Sequence, residues 1–276
     1  MVKKLKCLFP FHSGKMYQIP RILEILKQNR NMFDVVVEVF GGSAKVLWNI
    51  PKEWNKILVY NDIDKELCTT FRVLQDPVKR EELKERLSLA FPVCQEFEDL
   101  RDGIIETKTD VDVAFKILYL RTYSLSGDGK NFMRLFTYHK VPHFTDQILK
   151  NFDIINSNWI IKNMDFRDIM KKYNKEEVLL YLNPPYHGWK YEKSYSHTFN
   201  ENDLLDLKEG IDNHKGSYLM NLSVSSDVAE KMIEIFGKPN EVITYSFPQH
   251  SYQTKIKTWY FDFWYKFAKN EKKNVA

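Results

Sequence analysis

Cysteine is scarce: Cys7, Cys68 and Cys94 are the only three in 276 residues. Their odd number and wide spacing exclude a disulfide framework and a CxxC metal knuckle, and a reducing cytoplasm is the expected compartment. The seven histidines are scattered, without HExxH or a paired His/carboxylate spacing, so no structural metal is expected. Long apolar runs are missing too. None approaches the ~18–20 residues of a bilayer span, and the stretch after Lys3, Lys4 and Lys6 is cut short by Pro10, so neither a membrane span nor a secretory leader is expected. No internal repeat is visible. Nor is there a large excess of one charge: 41 basic against 37 acidic residues permits a polyanionic partner without arguing for one.

What is present suits a globular chain. Hydrophobic residues make up 43% and charged residues 28%, which excludes collagen-like and wholly disordered classes. The length fits one large domain or two modest ones. Ile19, Ile22, Leu23 and Leu26 follow helical spacing, and Val35 to Phe40 reads as a buried strand. After Gly41 and Gly42 a short helical stretch and a second strand, Ile57 to Tyr60, predict a parallel βαβ unit. From about Gln75 to Asn158 the pattern changes to charged helical segments, Val78 to Ala90 and Val111 to Tyr123, beside a polar loop from Ser124 to Lys130; this predicts an inserted helical subdomain. The α/β pattern returns with strands at Trp159 to Met164, Val178 to Leu182 and Ser217 to Asn221. These alternate with helices at Asn200 to Asp212 and Val224 to Phe236. Two β-rich runs, Val242 to Phe247 and Lys255 to Tyr265, predict a closing hairpin. The expected fold is therefore α/β, Rossmann-like, with a mostly parallel sheet.

In such sheets ligands sit beyond the carboxyl ends of the strands. The first strand leads into Glu38-Val-Phe-Gly-Gly-Ser-Ala44, whose small residues allow close backbone approach, and the second ends at Asp62, a carboxylate able to accept from both hydroxyls of a ribose. The spacing is not the GxGxxG of a dinucleotide site. S-adenosylmethionine, which has no phosphate and needs an acidic partner such as Glu38, fits better. Directly after the buried run Val178 to Leu182 comes Asn183-Pro184-Pro185-Tyr186. Two prolines cannot continue a ladder, so the backbone leaves the sheet in a stiff, extended form. The Asn183 amide oxygen and the Pro184 carbonyl can each accept one N–H of a planar conjugated amine and turn its lone pair toward a methyl donor, while Tyr186 can stack on a base. The targets open to such a site are adenine in DNA, adenine in RNA and protein glutamine. A nucleic-acid-binding module without catalysis is the alternative from another class. Trp189, Tyr191 and Tyr195, with Lys190 and Lys193 interleaved, could line a flipped base or its phosphates.

Phe11-His-Ser-Gly-Lys15, Val37 to Ala44, Asn61-Asp-Ile-Asp64, Asp165-Phe166 and Asn183-Pro-Pro-Tyr186, in this order, resemble the Dam-like (alpha-group) DNA adenine-specific N6-methyltransferases. The resemblance covers residues 9–75 and 159–265. It implies S-adenosylmethionine as methyl donor, double-stranded DNA as partner and a flipped adenine as target. Phe11 and Lys15 then fall on the amino-terminal cofactor motif, Glu38 and Gly41 on the methionine-binding turn, and Asp62 on the ribose-binding acid. Asp165 and Phe166 fall beside the cofactor adenine, and Asn183, Pro184 and Tyr186 on the catalytic tetrapeptide, with Asn183 also toward the cofactor. It implies a class I methyltransferase domain from residues 1–75 and 159–276. The insert, 76–158, would recognise DNA through Arg121, Lys130, Arg134 and Lys140, aided by Trp189, Lys190 and Tyr191. The departures are His12 and Ser13, which replace small residues of the amino-terminal motif, Ala44, where glycine is common, and Asn183, which replaces the aspartate more usual in this class.

Overall fold

A computed structural model describes residues 9, 18–133, 159–185, 199–224, 226–248 and 256–268. The strands are β1 (Val35–Glu38), β2 (Ile57–Asn61), β3 (Ile160–Lys162), β4 (Val178–Leu182), β5 (Ser217–Val224), β6 (Glu241–Pro248) and β7 (Ile256–Lys266). They form one seven-stranded sheet in the order β3-β2-β1-β4-β5-β7-β6. β1, β4 and β5 run parallel, as do β2 and β3, whereas β7 is antiparallel to both β5 and β6. This is the mostly parallel, Rossmann-like sheet with a closing hairpin that the alternating pattern predicts.

Contacts group the chain into two compact units: residues 1–27 with 41–164, and residues 28–40 with 165–276. In the first, β2 and β3 are accompanied by α2 (Lys65–Gln75), α3 (Pro77–Ser88), α4 (Cys94–Arg101) and α5 (Asp110–Tyr123), while α1 (Ile19–Gln28) straddles the boundary in sequence. Helix starts follow from local chemistry. Asp64 caps α2 by accepting from the Glu66 and Leu67 amides. Asp76 caps α3, with Pro77 in its first turn, and Thr109 and Asp112 form a reciprocal capping box on α5. α5 is the core of this unit: Ala114, Leu118, Tyr119 and Tyr123 are buried, and α2, α3 and α4 all pack on it. The Ser124 to Lys130 segment is closed on itself. A bridge joins Ser124 to Phe132, Leu125 N–H donates to Asn131 O at 2.8 Å, and Gly129 N–H donates to Ser124 Oγ at 2.8 Å.

The second unit contains β1, β4, β5, β7 and β6 with α6 (Phe166–Lys172), α7 (Glu201–Asp212) and α8 (Ser226–Phe236). All five residues of β4 are buried, as expected of a central parallel strand whose sequence is unbroken apolar or aromatic. Tyr181 fits there because its hydroxyl donates to Asn221 Oδ1 on β5 at 2.6 Å.

The short helical stretch expected between β1 and β2 takes the form of two single 3-10 turns, Leu47–Asn49 and Lys52–Trp54. Pro51 supplies no N–H and Asn55 turns left-handed at φ +49°, so the chain cannot run on as one helix. α2, α4 and α6 went unread from the pattern. α4 and α6 are too short, at 8 and 7 residues, to show a periodic stripe. Among the described residues no helix is long and apolar enough to cross a membrane, and no group of three or more His, Cys, Asp or Glu is placed to hold a metal ion.

Candidate active site

The strand order reverses between β1 and β4, and it is at such a switch point that the loops leaving two neighbouring strands diverge and open a crevice. β1 and β4 pair in register through Glu38 opposite Tyr181, and the pairing continues one step further where Val39 N–H donates to Tyr181 O at 3.0 Å. Phe40 and Asn183, each two residues beyond that pair, leave the sheet side by side. Glu38 is buried here, 2% exposed. Asn183 and Pro184 are buried as well.

Asn183 carries the most informative atom of the site. Its Oδ1 is buried and has no hydrogen-bond partner among the described residues. Buried acceptors are nearly always satisfied, and an orphan costs about 1–3 kcal/mol. Pro184, next in the chain, has no N–H of its own, so the strand ends in acceptors rather than donors. An N–H-bearing ligand is the complement of such an end.

The sequence motifs set Phe166, with Asp165, beside the cofactor adenine, and the structure adds two further rings to it. Phe40, Phe166 and Phe199 lie with centroids 5.5, 5.6 and 5.8 Å apart in their three pairings. Phe40 was legible only as a strand residue and Phe199 only as the residue before a helix; the trio depends on contacts far apart in the chain. Asp165 begins α6 and accepts from the Arg167 amide at 2.9 Å, so it has a capping role whatever else it does.

In the other unit the glycine-rich turn meets the end of β2. Gly42 N–H donates to Asp62 Oδ2 at 2.7 Å and Asp64 N–H donates to Asp62 Oδ1 at 2.9 Å. Each carboxylate oxygen thus keeps a lone pair for a further donor. Burial pushes the Asp62 carboxyl up to about 6, against the lowering effect of those two amides. Asn61 is a clamp: its Nδ2 donates to Met164 O and its Oδ1 accepts from Met164 N–H, both at 3.0 Å. Cys68 is inert by the same surroundings. Its thiol donates to Lys162 O at 3.1 Å and burial raises it to about 12.

Gly41 is required by packing against β2. A Cβ there would lie 2.2 Å from the Tyr60 ring and 2.7 Å from Asn61 O. Gly41→Ala is expected to lower stability by about 2–4 kcal/mol, measured by denaturant unfolding, because strand backbone and a fully buried ring cannot both retreat. Ala44 adopts φ +53°, the left-handed region that a Cβ disfavours, which gives a reason for glycine being common at this position. Ala44→Gly is expected to raise stability by about 0.5–1 kcal/mol, the relieved strain less the entropy glycine adds to the unfolded chain; a lower thermal midpoint would refute it.

Arg121 points inward to the loop that follows it. Its Nη1 donates to Gly127 O and Asp128 O, both at 3.1 Å. Burial lowers its guanidinium from the usual value while Asp64, Asp128 and Asp62 oppose this. Lys130, at the far side of the same loop, is exposed. Phe11, Lys15, Arg134, Lys140, Tyr186, Trp189, Lys190 and Tyr191 lie outside the described residues, as do Lys193 and Tyr195.

Comparison with known proteins gives the family. A type II methyltransferase, M.CviBI of Paramecium bursaria Chlorella virus NC1A, is 22% identical over 232 residues, covering 82% of this chain and 86% of that protein. Among solved structures, a Pyrococcus horikoshii protein described as an RNA methyltransferase superposes over 91% of this chain and 83% of its own, with 9% identity and a TM-score of 0.39. The profile of the D12 class N6 adenine-specific DNA methyltransferases matches residues 14–266. With nearly its whole length matched, the chain belongs to that family and is a site-specific DNA methyltransferase acting on adenine.

Proposed function

We propose that the methyl group comes from S-adenosylmethionine and goes to N6 of an adenine flipped out of duplex DNA, with Asn183 and Pro184 as the acceptors that activate the amine. The buried, partnerless Oδ1 of Asn183 at the β1/β4 switch point carries this reading. The residues present suit the donor molecule. Glu38 offers a buried carboxylate to a cationic amino-acid end, Asp62 free lone pairs to ribose hydroxyls, and Phe166 an apolar ring beside the adenine, with Asp165, Gly41, Phe11 and Lys15 completing the set implied by the family motifs. When bound, S-adenosylmethionine supplies an electrophilic methyl on sulfur and leaves as S-adenosylhomocysteine.

The protein's own task is to make a poor nucleophile competent. In adenine the N6 lone pair is delocalised into the ring. Asn183 Oδ1 and Pro184 O, each accepting one N–H, draw both hydrogens to one side and leave the lone pair directed out of the ring plane. As the new N–C bond forms, the amine becomes cationic and its protons more acidic, so both acceptor bonds strengthen when they are needed. A base strong enough to deprotonate the free amine is unnecessary.

A stacked, paired adenine cannot reach acceptors at a strand end, so the base must leave the duplex at a cost of a few kcal/mol. Tyr186, Trp189, Lys190 and Tyr191 are proposed to receive it. The division into a catalytic part, 1–75 with 159–276, and a DNA-recognising insert, 76–158, is proposed on the same ground. Lys130, Arg134 and Lys140 are proposed to meet phosphates. The part given to Arg121 is indirect: it shapes the 124–131 loop that presents Lys130.

Incubation of unmethylated DNA with methyl-labelled S-adenosylmethionine, followed by sequencing of modified bases, tests the reading. N6-methyladenine at a fixed sequence is the expected product. DNA binding without transfer would favour the non-catalytic module, and label in RNA or protein alone would move the target.

A further inference from the structure

We propose that Arg167 is a positioning residue for the adenine end of the cofactor site, holding Phe199 against Phe166 and Phe40. This rests on the reading of Phe166 as the ring beside the cofactor adenine, and takes Phe40 and Phe199, which pack on it, as the rest of an adenine cradle.

Every part of the guanidinium is engaged. Nε donates to Asp206 Oδ2 at 2.6 Å, Nη2 to Asp203 Oδ1, and Nη1 to Asp165 Oδ2 at 3.2 Å. Its flat face covers the Phe166 ring, with the central carbon 4.3 Å from the ring centroid. Asp203 in turn accepts at Oδ2 from the Asn200 backbone N–H, 2.6 Å away, as part of the capping box that starts α7. Phe199 is the next residue upstream. A continuous chain of contacts thus runs from the ring of Phe166 through Arg167, Asp203 and Asn200 to the backbone that carries Phe199, whose ring returns to Phe166.

Stability alone does not account for the arrangement. The Arg167 side chain is 40% exposed, and ion pairs of that kind contribute little to folding. Three carboxylates around one cation exceed charge balance. What the fork does is fix direction: α6 presents Asp165 and Phe166, α7 presents Asp203 and Asp206, and one planar group sets their spacing. Without it the three acids face one another unscreened, and the first turn of α7 is pushed away from α6, carrying Phe199 out of the cradle.

The test is calorimetric binding of S-adenosylmethionine and S-adenosylhomocysteine to the full chain, with thermal midpoints recorded alongside. Arg167→Ala is expected to weaken both ligands by about tenfold, since both carry the adenine, with the midpoint moved by less than about 4 °C. Arg167→Lys keeps the charge but not the plane and is expected to recover only part of the loss. Phe199→Leu is expected to weaken both ligands similarly, and the double variant to be no worse than either single one, because both act through one contact. Wild-type affinity in Arg167→Ala, a midpoint that falls in step with affinity, or additive losses in the double variant would each overturn the proposal. Failure of the wild-type chain to bind either ligand would instead overturn the cofactor reading on which it rests.

Discussion

Asn183→Ala is expected to lower methyl transfer by about 10²–10³-fold while leaving S-adenosylmethionine binding within a few fold and the thermal midpoint unchanged or raised. The rate estimate follows from removing one preorganised hydrogen-bonding group aimed at a reacting atom, typically about 2.7–4 kcal/mol of transition-state stabilisation. The stability estimate comes from the structure. An asparagine held in place by its own hydrogen bonds destabilises the fold when truncated, but Asn183 Oδ1 has no partner to lose among the described residues, and deleting a buried orphan removes a standing cost. The two measurements together separate roles that either alone confuses. A variant with near-normal turnover, or one that fails by unfolding, would sink the catalytic assignment. Asn183→Asp restores the acid more usual in this class and still offers an acceptor, so transfer within about tenfold of wild type is expected. The amide therefore matters as an oxygen rather than as a neutral group.

What the sequence made legible divides by the range of the interactions. The β4 strand and its exit at Pro184 could be read because five buried residues followed by two prolines admit few alternatives. Asp62 could be placed at the carboxyl end of the sheet because it directly follows a strand. Gly41 was read as part of a turn whose small residues allow close approach of a ligand; the structure adds a second demand, with the Tyr60 ring and Asn61 backbone against it. No periodicity shows which strand a turn folds onto. The aromatic trio and the Arg167 fork were hidden for the same reason: Phe40 meets Phe199 from far along the chain, and Arg167 meets Asp203 and Asp206 across 36 and 39 positions. Arg121 read as a DNA-contacting cation because it stands in the insert beside a polar loop. Its donation to two loop carbonyls is decided by how the loop closes, through Ser124, Asn131 and Phe132.

Asp62 allows the ribose assignment to be tested by two slopes of opposite sign. Asp62→Ala is expected to weaken S-adenosylmethionine by about 10–150-fold, the ~1.5–3 kcal/mol of a hydrogen bond to a charged acceptor. Ribose hydroxyls donating to the carboxylate favour its ionised form, so binding must compete with protonation at about 6. If only the ionised form binds, affinity falls about tenfold between pH 7 and pH 5, and Asp62→Ala removes that dependence. Folding responds in the other direction. The carboxyl is raised in the folded protein relative to the unfolded chain, so the stability contributed by its protonated form is fully present below the ordinary carboxylate value near 3.8. It is lost as pH rises through about 6. Acidification in this window therefore strengthens the ligand-free fold at Asp62 while weakening cofactor binding. A nonspecific acid effect would lower both together. Calorimetry and thermal unfolding over pH 5 to 7, on the wild type and Asp62→Ala, separate these outcomes, and unchanged affinity in the variant would remove Asp62 from the cofactor site.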